Sequence, residues 1–148
     1  MLKKILLCTD LSENSKQAFP IAKDIATKYD ASIDLLAVVT DIAETALFSI
    51  LEQPNLISED VHKKILEEVE KDLNNIALKF DYKKLKPVVL EAKGAVHTEI
   101  VNYAQQNNVD MIVMSSSGRT GLKRFVVGGV SEKVLREIKV PILFVPCK

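Results

Sequence analysis

Ile5-Leu6-Leu7-Cys8 and Met111-Ile112-Val113-Met114 are apolar at every position. Each run is short and ends at polar or small residues, Thr9-Asp10-Leu11-Ser12 in the first case and Ser115-Ser116 in the second. A strand with one wet face alternates polar and apolar side chains. A strand without that alternation is buried on both faces, as in the interior of a parallel sheet. These two runs therefore point to an α/β fold with helices covering both sides.

The other segments fit that frame. Ile33 to Val39 is a second apolar, β-branched strand. Leu85 to Ala92 reads as a third, interrupted by Pro87, and Pro141 to Val145-Pro146 as a fifth, with proline at both ends. Proline cannot donate to a sheet ladder, so strands three and five belong at edges. Between the strands lie helical stripes. The first is Ala18, Ile21, Ala22, Ile25, Ala26 and Tyr29. Ser12 or Ser15 is available as its cap, and Pro20 either opens the helix or kinks it. The next starts at Ser58, has Glu59 and Asp60 in its first turn, and carries Val61, Ile65, Val69, Leu73, Ile76 and Phe80 inward. Lys63, Lys64, Glu67, Glu68 and Lys71 form its wet face, with Glu67 and Lys71 four apart. Beyond a turn at Gly94, a short helix with Thr98, Ile100, Val101 and Ala104 ends at Asn107-Asn108. The last helix is marked by Val130, Val134, Leu135 and Ile138. Residues 41–57 read as a short helix and flap, or as a loop packed on the core.

With right-handed crossovers and strands three and five at the edges, the order 3-2-1-4-5 satisfies every constraint. The chain then reverses its direction of travel across the sheet between strands one and four. Ligands bind at the carboxyl ends of the strands flanking such a switch point. Those ends are Thr9-Asp10-Leu11 and Met114-Ser115-Ser116.

The stretch from Val113 to Ser131 carries the chemistry. A buried strand opens into Ser115-Ser116-Ser117-Gly118, passes the cations Arg119, Lys123 and Arg124, and closes on Gly128-Gly129 before a helix. Small residues let a ligand approach the backbone, and the first amides of a helix favour a phosphate. Asp10 is placed to accept from a ribose hydroxyl or an adenine amine, or else to cap the first helix. Other motifs fall away. Ser116-x-Gly118-x-x-Gly121 follows strand four rather than strand one, unlike a dinucleotide fingerprint. Gly118-Arg119-Thr120-Gly121 does not join two helices, unlike the GxxG of KH domains. The serines lack a GxSxG elbow and a partnered base, so no catalytic residue is assigned. His62 and His97 have no partnered cysteines or HExxH and read as surface histidines, so no metal ligand is assigned.

The 148 residues suit one domain spanning 1–148. Lys+Arg and Asp+Glu are equal at 20 each, which leaves no global positive field for nucleic acid. The two cysteines, Cys8 and Cys147, form no CxxC pair, so a reduced, cytoplasmic setting is expected. No apolar run approaches the ~20 residues of a membrane span, and the amino-terminal run is too short for a signal peptide.

The sequence also resembles the universal stress protein family. The likeness is carried by Ile5 through Glu13, by Gly94 with Ile100, by Asp110 through Met114, and by Gly118 through Leu122 on to Val140-Pro141-Ile142-Leu143. It covers essentially the whole chain. It implies a Rossmann-like sandwich of the adenine-nucleotide α-hydrolase kind, paired as a homodimer through the last strand, Ile142 to Val145. One branch of the family binds ATP through G-2x-G-9x-G-[S/T]. The corresponding positions here are Ser115, Gly118, Gly128 and Gly129, so the first glycine is serine and the last hydroxyl residue is glycine. By resemblance Asp10, Val38, Met114, Ser115, Gly118, Gly128, Gly129, Val130 and Ser131 line the site, with Val38 offering backbone to adenine. Loss of one neutral hydrogen bond costs roughly 0.5–1.5 kcal/mol, about a three- to tenfold weakening.

The expected function is a stress-response regulator that binds ATP, with Mg²⁺, or a related adenine nucleotide and hydrolyses it little or not at all. Hydrolysis requires a water-activating group and a metal ligand, and only Asp10 and Asp41 are near. The alternative is a nucleotide-independent homodimeric interaction protein of the same family, suggested by Ser115 and Gly129.

Overall fold

The computed structural model describes residues 1–40, 59–116 and 129–147. Five strands form one sheet: β1 (Lys4–Thr9), β2 (Ser32–Val39), β3 (Leu85–Glu91), β4 (Met111–Ser115) and β5 (Ile142–Val145). All neighbours are parallel, and the order is β3-β2-β1-β4-β5, as the placement of the prolines predicts. Pro87 sits in edge strand β3 opposite Leu35, and Pro141 and Pro146 flank edge strand β5. The helices are α1 (Glu13–Lys16), α2 (Phe19–Tyr29), α3 (Glu59–Phe80), α4 (Val96–Gln106) and α5 (Val130–Glu137). The reading of 41–57 and the start at Ser58 lie outside the described residues.

Strand alternation sorts the core into two layers. Ile5, Leu7, Ile33, Leu35 and Val113 point to one face and pack with Phe19, Ala22 and Ala26 of α2 and Leu73 of α3. Leu6, Cys8, Leu36, Ile112 and Met114 point to the other, where they meet Ile100, Val101 and Ala104 of α4 and Val134 of α5. The period of two along a strand dictates this split. Pro20 lies in the first turn of α2, where its missing N–H costs nothing, so the helix starts late rather than kinking. The two alanines one turn apart on α2 bring its backbone close to the sheet. Ala22 and Ala26 hold the centre of the helix's buried stripe, and Ile21 and Tyr29 are exposed where the periodicity predicts burial. Leu135 is likewise 54% exposed, because α5 has only two turns and buries only Val134 fully.

Polar groups pin the layers at a few points. Asp34 is buried at the start of β2. It accepts a hydrogen bond from the Tyr103 hydroxyl at 3.0 Å and lies 3.7 Å from the Lys4 ammonium. Burial, and donation to Asp34, push the Tyr103 phenol well above its ordinary value. His62 is not a free surface group, since its Nε2 lies 2.8 Å from Glu91 and ties α3 to the end of β3. His97 pairs with Glu137 at 3.2 Å and links α4 to α5. Glu67 pairs across one turn with Lys63, at 3.9 Å. Asn107 ends α4 as its cap, and Asn108 takes the left-handed backbone that asparagine tolerates.

Two outcomes follow from these contacts. Leu73 is the fully buried anchor of α3, so Leu73→Ala is expected to cost about 2–5 kcal/mol in urea unfolding. Leu78→Ala, on a residue 78% exposed in the same helix, should stay within about 0.5 kcal/mol of the parent. The Asp110 carboxylate accepts the backbone N–H groups of Lys3 at 2.8 Å and Lys4 at 2.9 Å, and these hold it below the usual carboxylate range. A lowered folded-state value contributes stability above the unfolded-state value, near 4, that is lost as pH falls through the lowered one. Asp110→Asn should therefore be less stable at pH 7, with a shallower stability loss below about pH 4 in acid titrations of the unfolding midpoint.

Candidate functional site

The site is built where β1 ends. Thr9 pairs with Ala37 as the last rung of the β1–β2 ladder, and the chain then turns into α1 through Asp10, Leu11 and Ser12. Side-chain hydroxyls shape the turn. Thr9 Oγ1 accepts from the Leu11 N–H at 3.0 Å and shares a hydrogen bond with Ser15 Oγ at 2.8 Å. Asp10 Oδ1 accepts from both the amide and the hydroxyl of Ser12. Ser12 Oγ in turn accepts from the Ser15 amide as the N-cap of α1. Neither candidate serine caps α2, whose N-cap is Ala18 with no side-chain bond to the helix amides; Ser12 caps the separate turn α1 instead. Asp10 does not cap the helix itself but holds the residue that does. Leu11 adopts a left-handed φ of 67°, strained for a branched residue. Its side chain packs on the core beneath α2 and fixes it there.

The second wall is the end of β4. Val113 pairs with Leu7, so the two central strands rise together and Met114 and Ser115 finish beside Cys8 and Thr9. Both Met114 and Ser115 are buried. The Ser116 amide donates to Val145 O at 2.9 Å, which holds the departing chain against β5. The third wall is α5. A helix joining two adjacent parallel strands runs back against them, so Gly129, Val130 and Ser131 lie at the carboxyl end of the sheet, the end that carries Asp10. Gly129 is the N-cap, at φ −66° and ψ 166°, and supplies no side-chain acceptor to the helix amides. Val38 lies one residue beyond the last β1–β2 pair, where its main chain leaves the β1 ladder.

Of the nine predicted site residues, seven thus gather at one end of the sheet: Asp10, Val38, Met114, Ser115, Gly129, Val130 and Ser131. Gly118 and Gly128 lie outside the described residues, as do Asp41 and the cations Arg119, Lys123 and Arg124. Sequence reasoning named Thr9 and Ser15 but missed the hydrogen bond between them that braces the turn. Hydroxyls at 9, 12 and 15, three apart around one carboxylate, were the available signal.

The chemistry offered is that of a binding site. Asp10 and the start of α5 lie at the same end of the sheet, the one a hydrogen-bond acceptor and the other a set of amide donors. Burial pushes the Cys8 thiol up to about 12, so it stays protonated at neutral pH. Among the described residues, no three of His, Cys, Asp or Glu come together as a metal cluster.

Comparison with known proteins places these features in a family. The model of the Universal stress protein family matches residues 1–146. Universal stress protein MJ0577 of Methanocaldococcus jannaschii is 31% identical over 100% of this chain and 97% of its own. Its solved structure superposes with a TM-score of 0.80, covering 100% of this chain and 98% of the other at 30% identity. Two more distant structures share the fold. A universal stress protein in complex with cAMP has a TM-score of 0.65 at 19% identity, covering 99% of this chain and 98% of its own. A universal stress protein family protein from Arabidopsis thaliana with AMP bound has a TM-score of 0.60 at 16% identity, covering 99% and 92%. With the family model and a full-length relative both matching, the chain belongs to the universal stress protein family.

Proposed function

We propose that this protein binds an adenine nucleotide at the carboxyl end of β1 and β4 and acts as a ligand-dependent regulator, with little or no hydrolysis. The observation that carries the reading is the convergence of Asp10, the buried end of β4 and the glycine-capped start of α5 at the switch point of the sheet. Two family relatives, crystallised with cAMP and AMP, support the choice of adenine. Asp10 serves the ribose, the Val38 main chain the adenine edge, and the first amides of α5 the phosphate. ATP fits this donor set as well as AMP does. Mg²⁺ would arrive with the phosphates of ATP, held by them rather than by a protein cluster.

Ser115 and Gly129 set the affinity. Ser115 adds a side chain at a buried position against which the sugar would lie. Gly129 has an ordinary extended backbone, so serine fits there without strain and restores a hydroxyl beside the phosphate. Isothermal titration with AMP and with ATP plus Mg²⁺ tests the reading. Saturable heat is expected below millimolar nucleotide, with Gly129→Ser tightening it about three- to tenfold. Absence of heat at millimolar AMP and ATP would reject it and favour the nucleotide-independent interaction protein.

The edge strand β5 is the proposed dimer seam. Ile142, Leu143 and Phe144 are only partly covered, and an apolar edge of a sheet invites pairing with a second copy. Sedimentation velocity at micromolar concentration is expected to give a dimer, and Phe144→Lys a shift toward monomer.

A further inference from the structure

A second concavity lies away from the switch point, where the first turn of α2 meets the last turn of α3. Its volume is about 420 Å³. Phe19, Pro20, Ile76 and Phe80 make its apolar floor, with the two phenylalanine rings tilted at 57° and 5.6 Å apart. Three lysines, Lys16, Lys23 and Lys79, stand around it, and among the described residues no carboxylate lines it.

The charges are not all explained by the fold. The Lys23 ammonium donates to the Phe80 carbonyl at 2.8 Å and lies 5.9 Å from the Phe80 ring centroid. That position suits the negative end of α3, but the partner is neutral and leaves a full positive charge at the rim. Lys79, in the same last turn, is exposed. Lys16 comes from a different helix, and its partner Glu13 is 88% exposed, so the pair is solvent-screened and weak. An apolar floor under a cationic rim is complementary to an apolar body with one anionic head. The volume lies within the ~300–1,000 Å³ of small-molecule sites, which favours a free small ligand over a flat macromolecular surface.

We infer that this groove binds a free amphiphilic carboxylate, with its acyl or aryl body on Phe19, Ile76 and Phe80 and its head among Lys16, Lys23 and Lys79. The inference is independent of the nucleotide reading, because no residue of the two sites is shared.

The test is titration of the ¹⁵N-labelled full chain with sodium decanoate below its micellar concentration, followed by amide shifts. Saturable shifts at Phe19, Lys23, Ile76 and Phe80 are expected, and decanol should bind more weakly. Lys79→Glu should weaken decanoate about fivefold or more, from loss of one exposed ion pair and the repulsion added by charge reversal, with only a small fall in the unfolding midpoint from an acid in the last turn of α3. If that variant is poorly folded, Lys79→Gln replaces it, with the same direction expected. Equal affinity for decanol, unchanged affinity in the lysine variants, or shifts confined to other regions would overturn the inference. So would co-sedimentation with phosphatidylglycerol vesicles without binding of monomeric decanoate, since that identifies a membrane-facing patch instead.

Discussion

Strand β1 meets water on neither side. From Ile5 to Thr9 every residue is buried, and three of them, Ile5, Leu6 and Leu7, have no exposed surface at all. Such a strand can persist only if each face is covered and each edge paired, because an unpaired amide in that setting is expensive. Neighbours β2 and β4 satisfy its edges, α2 and α3 one face, and α4 and α5 the other. The layering of the whole molecule follows from this one requirement. Even the tight turn at Asp10 does, since a strand buried along its length must leave the sheet abruptly at its end.

That abrupt exit is what makes a site. Flanking crossovers depart to opposite sides, which opens a crevice at the ends of β1 and β4. The family assignment and the close match to the archaeal relative locate this chain among proteins built on the same plan. Thr9, Ser12 and Ser15 knit the turn from within and hold the Asp10 carboxylate in a defined orientation. The cationic groove between α2 and α3 shares no residue with that end of the sheet, but it draws Lys16 from the turn that Ser12 caps.

Much of the architecture was legible in the sequence because it rests on strong, local signals. Uninterrupted apolar runs identify β1 and β4 as interior, and Pro87, Pro141 and Pro146 identify the edges. The observed strand order satisfies what those few residues require. The helix surfaces were less legible, because Ile21 and Tyr29 have the correct spacing yet are exposed, while Ala22 and Ala26 occupy the buried centre of α2. Leu135 similarly follows the periodicity of α5 on a helix too short to bury it. Contacts between distant elements, such as His62 with Glu91 and His97 with Glu137, have no sequence periodicity and cannot be read before the fold is known. At the site, the glycine pattern was visible, whereas the hydroxyl lattice around Asp10 was hidden among residues that looked like an ordinary cap.

The Asp10 carboxylate is engaged with Ser12. One oxygen of a carboxylate can accept more than one hydrogen bond, so occupancy of the site and support of α1 are compatible only if the incoming group leaves the side chain where it stands. A ligand that met this condition would find the acceptor already oriented, with no rotamer freedom left to lose. One that pulled the carboxylate toward itself would unseat Ser12 and loosen the single turn that carries Lys16. The first turn of the chain thus discriminates by posture: it rewards guests that fit its resting shape and taxes those that must rearrange it.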